Sequence, residues 1–169
     1  MIALYKGTSP MSRFIRWVTW GEYSHASWID AKKGEYEAWQ LAGTVYNDLW
    51  GSRHTPGTVV DIFDFKEPLT QIEIGIIETF LKSHLGEKYD WAGVLAFIPV
   101  FRMFKEHSKG KWFCSEEIVE SVDLAGRPLY EKPSSKTSPS DISFCTLLYK
   151  KETWIVPDRP SLVATLACP

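Results

Sequence analysis

The chain has 169 residues, enough for one domain with a real core, and its net charge of −2, with lysines and arginines scattered, gives none of the basic footprint of a nucleic-acid-binding protein. Three cysteines (Cys114, Cys145, Cys168), odd in number and widely spaced, fit neither a disulfide framework nor a zinc site. The longest apolar stretch, Trp91 to Phe101, is broken by Gly93 and Pro99 and is too short to span a bilayer.

Residues 2–6 read as a short strand, and Ser9-Pro10 supplies a cap and a first-turn proline for a helix over 10–20, with Met11, Phe14, Ile15 and Val18 on one face. Two β-rich runs, 23–30 and 35–40, flank the turn Ala31-Lys32-Lys33-Gly34 and predict a hairpin, with 43–49 as a third strand beside it. A polar loop over 51–57 leads to a strand over 58–65. Helical spacing of Ile72, Ile76, Ile77, Phe80 and Leu81 predicts a helix over 69–85 that Gly86 stops. Further helices are expected over 89–97 and 112–125, the latter closed by Gly126-Arg127-Pro128. Ser138-Pro139-Ser140-Asp141 opens a short helix running to about 147, and 150–156 is a late strand before a proline-containing tail. Strands and helices fall in blocks, so the expected class is α+β with an antiparallel sheet, in a single domain over 1–169.

The chemistry concentrates on two residues. Cys114, in Lys111-Trp112-Phe113-Cys114-Ser115-Glu116-Glu117, precedes a helix whose first-turn amides could stabilise a thiolate and an oxyanion. The bland alternative is a buried structural thiol in an aromatic patch. His25, in Tyr23-Ser24-His25-Ala26-Ser27, has small neighbours that leave room for a partner. Glu37 lies on the adjacent strand of the expected hairpin and could orient the imidazole across the pair. Asp30 and Asp90 compete for that role, Asp30 from the far end of the strand and Asp90 from a helix start where capping suffices. His54, His84 and His107 lie in a polar loop, near a helix end and in a charged loop, and are expected at the surface.

Four segments occur in order: Tyr23-Ser24-His25-Ala26, Glu37-Ala38, Gly86-Glu87-Lys88-Tyr89-Asp90-Trp91 and Phe113-Cys114-Ser115-Glu116. Together they resemble the circularly permuted NlpC/p60-type papain-like proteins, and within them the YiiX/YaeF-like group. Ser138-Pro139-Ser140-Asp141-Ile142 is similar to the segment that follows the cysteine helix there. The resemblance covers about residues 1–147 and leaves 148–169 as a tail strand and extension. It implies a papain-like core, a small antiparallel sheet or partial barrel packed against helices. It also implies Cys114 as nucleophile, His25 as general base and acid, Glu37 as the orienting group, and Tyr89 as a hydroxyl that helps hold substrate or oxyanion. Ser115 is a further oxyanion candidate through the exposed amides of the first helical turn, although Ser115-Glu116-Glu117 departs from the small residues that commonly follow the cysteine in classical NlpC-type enzymes. Permutation accounts for the histidine preceding the cysteine.

The expected activity is thiol-dependent hydrolysis of amide bonds, with cell-wall peptides (peptidoglycan) as the leading substrate and no metal or cofactor required. The alternatives are a lipid esterase or acyltransferase on the same triad and a non-catalytic ligand-binding module of the same fold. An apolar lip formed by residues 97–111, with Arg102 and Lys105 beside it, would favour an acyl chain or a membrane surface. The N-terminus shows no basic segment followed by a long apolar run, so the expectation is a soluble protein made in the cytoplasm, reaching cell wall only by lysis, a dedicated secretion route or phage carriage.

Overall fold

The strand β1 (Ile2–Lys6) is buried on both faces because it is the inner strand of a six-stranded antiparallel sheet. The computed structural model describes residues 1–95, 97 and 111–157. The expected lip over 97–111 and the extension past residue 157, with Cys168, therefore fall mostly outside the described residues.

β1 pairs on one side with β2 (His25–Ile29) and on the other with β5 (Val59–Phe65). β3 (Glu35–Trp39) and β4 (Gly43–Asn47) extend the β2 side, and β8 (Leu148–Ile155) closes the β5 side, giving the order β4-β3-β2-β1-β5-β8. Period-two alternation sorts the side chains. Ile2, Leu4, Ala26, Trp28, Tyr36, Phe63 and Phe65 face the helical layer, while Ala3, Tyr5, Ile29, Val60 and Ile62 face the other way with Val156.

The helical layer is built from α2 (Gln71–Ser83) and α4 (Cys114–Leu124). α2 contributes Ile77 and Leu81, and α4 contributes Ile118, Val119 and Val122, all completely buried. At about 2 kcal/mol for each fully buried aliphatic side chain, this contact is a principal stabiliser of the domain. α2 begins two residues after the expected start because Thr70 forms a capping box with Glu73, its hydroxyl accepting from the Glu73 amide at 3.2 Å. α1 (Pro10–Thr19) is capped by Ser9, whose hydroxyl accepts from Ser12 N at 3.1 Å. α5 (Pro139–Ser143) is capped in the same way by Ser138 and stops four residues short of the expected end.

One expected helix is largely replaced. Among the described residues of 89–97, α3 (Trp91–Leu95) alone is helical, and Tyr89 belongs instead to β6 (Lys88–Tyr89), which pairs in parallel with β7 (Lys111–Trp112). Gly43 lets the chain leading into β6 approach β4 closely. Its φ is +72°, and a Cβ there would lie 1.9 Å from the Glu87 carbonyl oxygen. That close approach lets Thr44 N donate to Glu87 O at 2.9 Å and Gly86 N donate to Thr44 O at 2.8 Å. Among the described residues no helix is long and apolar enough to cross a membrane.

Candidate functional site

β2 and β3 form the expected hairpin, with Trp28 opposite Tyr36 and Ile29 opposite Glu35. Continuing that register puts Glu37 opposite Ser27, one diagonal step from His25, so a long carboxylate side chain reaches the ring where a shorter one would not. His25 Nε2 and Glu37 Oε2 are 2.8 Å apart. Asn47, on β4, donates from Nδ2 to the other Glu37 oxygen at 2.5 Å and is itself held by Arg53 Nε. Both side chains are buried, His25 at 4% exposure and Glu37 at zero.

Cys114 arrives from the other side. It is the first residue of α4, following β7 and the extended residue Phe113, whose side chain makes no cap hydrogen bond. The first-turn amides of α4 thus carry no side-chain cap and stand beside the sulfur. Cys114 packs among Ile15, Val18, Ala38, Tyr89, Val94 and Phe113. The β6–β7 pairing puts Tyr89 next to Trp112, two residues before Cys114, and the tyrosine shares the buried cluster around the sulfur.

The charges interlock. Burial pulls the His25 pKa down, but Cys114, by charge and hydrogen bond, and then Glu37 outweigh it and raise it to about 10. Burial likewise pushes Glu37 up, and hydrogen bonding from His25 together with the nearness of His54 reverses this and holds it well below the usual carboxylate range. Tyr89 is driven well above the ordinary phenol value, first by burial and then by Cys114. Beside the Glu37 carboxylate, the arrangement favours the charged imidazolium. With Nε2 committed to Glu37, Nδ1 is the ring nitrogen left to exchange a proton with the thiol.

The sequence-expected set of Cys114, His25, Glu37 and Tyr89 is brought together. Ser115 is adjacent, but its hydroxyl donates to the Thr137 carbonyl at 2.7 Å, so only its backbone amide is left for an oxyanion. Asp30 is spent on the hairpin turn, accepting from the amides of Lys32 and Gly34, each at 2.8 Å. His84 packs against Phe80 and Trp112 instead of lying free at the surface.

His54 corrects the expectation of a surface residue. Its side chain is 6% exposed, and Nε2 stands 3.3 Å from Glu37 Oε2. Its ring stacks on Tyr5 at 3.7 Å and 8°. A second buried carboxylate places it: Glu35 accepts from Ser27, Tyr5 and the amide of Gly51, which at φ +75° turns the loop back beneath the sheet. The sequence signal was Gly51 three residues before His54; the loop's polar composition concealed it.

These elements define an α+β domain with a YiiX-like fold. The crystal structure of metalloprotein YiiX from Escherichia coli O157:H7, DUF1105, matches it with a TM-score of 0.67, covering 90% of this chain and 95% of that one at 15% identity. At that identity the likeness concerns the fold alone. No protein-family model and no curated protein sequence matches the chain.

Proposed function

We propose that the protein is a thiol-dependent acyl hydrolase of the permuted papain-like kind, acting on amide bonds in cell-wall peptides. The observation that carries this reading is the His25–Glu37 hydrogen bond of 2.8 Å, with Cys114 near enough to His25 to raise its pKa. His25 takes the thiol proton, and Cys114 Sγ attacks the carbonyl carbon. The amides at the start of α4 and the Tyr89 hydroxyl receive the oxyanion. As the C–N bond breaks, His25 passes the proton to the departing amine, leaving a thioester. Water then attacks, giving its proton to His25; the C–S bond breaks, and the thiol recovers its proton. Glu37 keeps the imidazole turned toward the sulfur and stabilises its charged form.

Muropeptides, phospholipid and fatty-acyl thioesters offered in parallel test the substrate class. Release of free amine from muropeptides, abolished in Cys114→Ala and lowered about 100-fold in Glu37→Gln, is the expected result. Cleavage of the acyl thioester or phospholipid alone would reassign the site to lipid chemistry. Undiminished turnover by Cys114→Ala would overturn the nucleophile.

A further inference from the structure

His25, Glu37 and His54 do more than form a triad with a spare histidine. Their ligating atoms all lie within 4.8 Å of one another, with Glu37 Oε2 2.8 Å from His25 Nε2 and 3.3 Å from His54 Nε2. Four tetrahedral ligands about 2.0–2.1 Å from a zinc ion stand about 3.3 Å apart, so of the two carboxylate contacts one already has that spacing and the other needs to open by about 0.5 Å, while the histidine pair lies within 4.8 Å. His54 Nε2 is buried and makes no hydrogen bond, although it stands 3.3 Å from the carboxylate. A protein that needed only an ion pair there would be expected to align it.

The surroundings hold these ligands as a metal site requires. His54 is fixed by its stack on Tyr5, and Glu37 by Asn47, which Arg53 holds in turn. A cavity of about 50 Å³ reaches both histidines and is lined also by Trp39 and Arg53, giving a way in and room for a water in the remaining coordination position. Two imidazoles and one carboxylate suit zinc and its late first-row neighbours, not calcium or magnesium.

We propose that His25 Nε2, Glu37 Oε2 and His54 Nε2 bind one late first-row divalent cation. On binding, the ion takes the place of the proton on His25 Nε2, which leaves to solvent, and captures the carboxylate that orients the ring. A consequence, which rests on the hydrolase reading, is that the metal-bound and hydrolytic states exclude each other.

The full chain, stripped with chelator, is titrated with Zn²⁺ by calorimetry and with Co²⁺ by visible absorption. The expected result is one equivalent bound, with ligand-field bands and no sulfur-to-cobalt charge-transfer band. His54→Ala is expected to weaken Co²⁺ binding by more than about 100-fold and Asn47→Ala by about 10-fold, while Cys114→Ser binds as the parent does. Thermal melts show whether each variant is folded, and His54→Asn repeats the test with a side chain that stays polar. No binding by the wild-type chain, binding unaffected in folded His54 variants, or a sulfur charge-transfer band lost in Cys114→Ser would each overturn the site. None of these readouts depends on turnover. Failure of the hydrolase reading would leave the cobalt spectrum unchanged.

Discussion

Glu37 has two oxygens and three neighbours: His25 and His54 at one, Asn47 at the other. Burying such a carboxylate costs several kcal/mol unless it is paired, and here the pairing is what makes the imidazole basic. A group whose pKa is raised to about 10 stays protonated through neutrality and loses its proton as pH passes that value. The kcat/KM profile is therefore expected to fall on an alkaline limb near pH 10. Glu37→Gln removes one of the two charges that raise it and should bring the limb down by about one unit or more. A limb that stays in place in Glu37→Gln would remove Glu37 from this role. His25, Glu37 and Cys114 were legible in the sequence because short segments kept them in a readable order. His54 was not, because Glu35 holds the Gly51 amide from outside the loop, and the polar composition of residues 51–57 concealed the one local signal, Gly51 itself.

α4 carries both the thiol and a cost. Glu117 lies one turn beyond Cys114, and both its carboxylate oxygens are buried without a hydrogen bond. Burial raises its pKa to about 8; the nearby Thr44 hydroxyl opposes this without reaching hydrogen-bonding geometry, and Glu87 adds to it. The folded chain thus binds more protons than the unfolded one between 4.5 and about 8. Stability must fall as pH rises through that window, by up to about 1.4 kcal/mol per unit, and level off above it. Urea unfolding at pH 5, 7 and 9 should find Glu117→Gln near the parent at pH 5 and increasingly more stable above it. Parallel curves would show that Glu117 ionises freely.

Gly43 is the second place where an element depends on one residue. Gly43→Ala meets both the positive φ and the Glu87 carbonyl, and should cost more than about 1 kcal/mol and lower the melting temperature by at least roughly 2–4 °C. An unchanged melt would mean that β4 and the Gly86–Lys88 segment can separate freely. Element types followed from periodicity and caps, yet the segment at Tyr89 did not. An apolar run beside Trp91 has no period that separates a two-residue strand from a helix, and only the partner at 111–112 decides it.

Across the whole molecule, the site joins parts far apart in sequence: a hairpin at 25–39, a loop at 51–57, a strand pair at 88–89 and 111–112, and the start of α4. The α+β class and the antiparallel sheet were readable from the block order of the elements. The strand order was not, because β8 joins the far edge through β5, a pairing between residues about ninety apart. The sheet and the α2–α4 layer fix the two halves of the site separately, so histidine and cysteine meet only in the folded chain. The direct measurement of whether they act as one unit is the rate of Cys114 alkylation by iodoacetamide at neutral pH in the parent, His25→Ala and Glu37→Gln. Alkylation in His25→Ala slowed by about 100-fold, with Glu37→Gln between it and the parent, is the predicted result. Equal rates in all three would contradict a working Cys114–His25–Glu37 site.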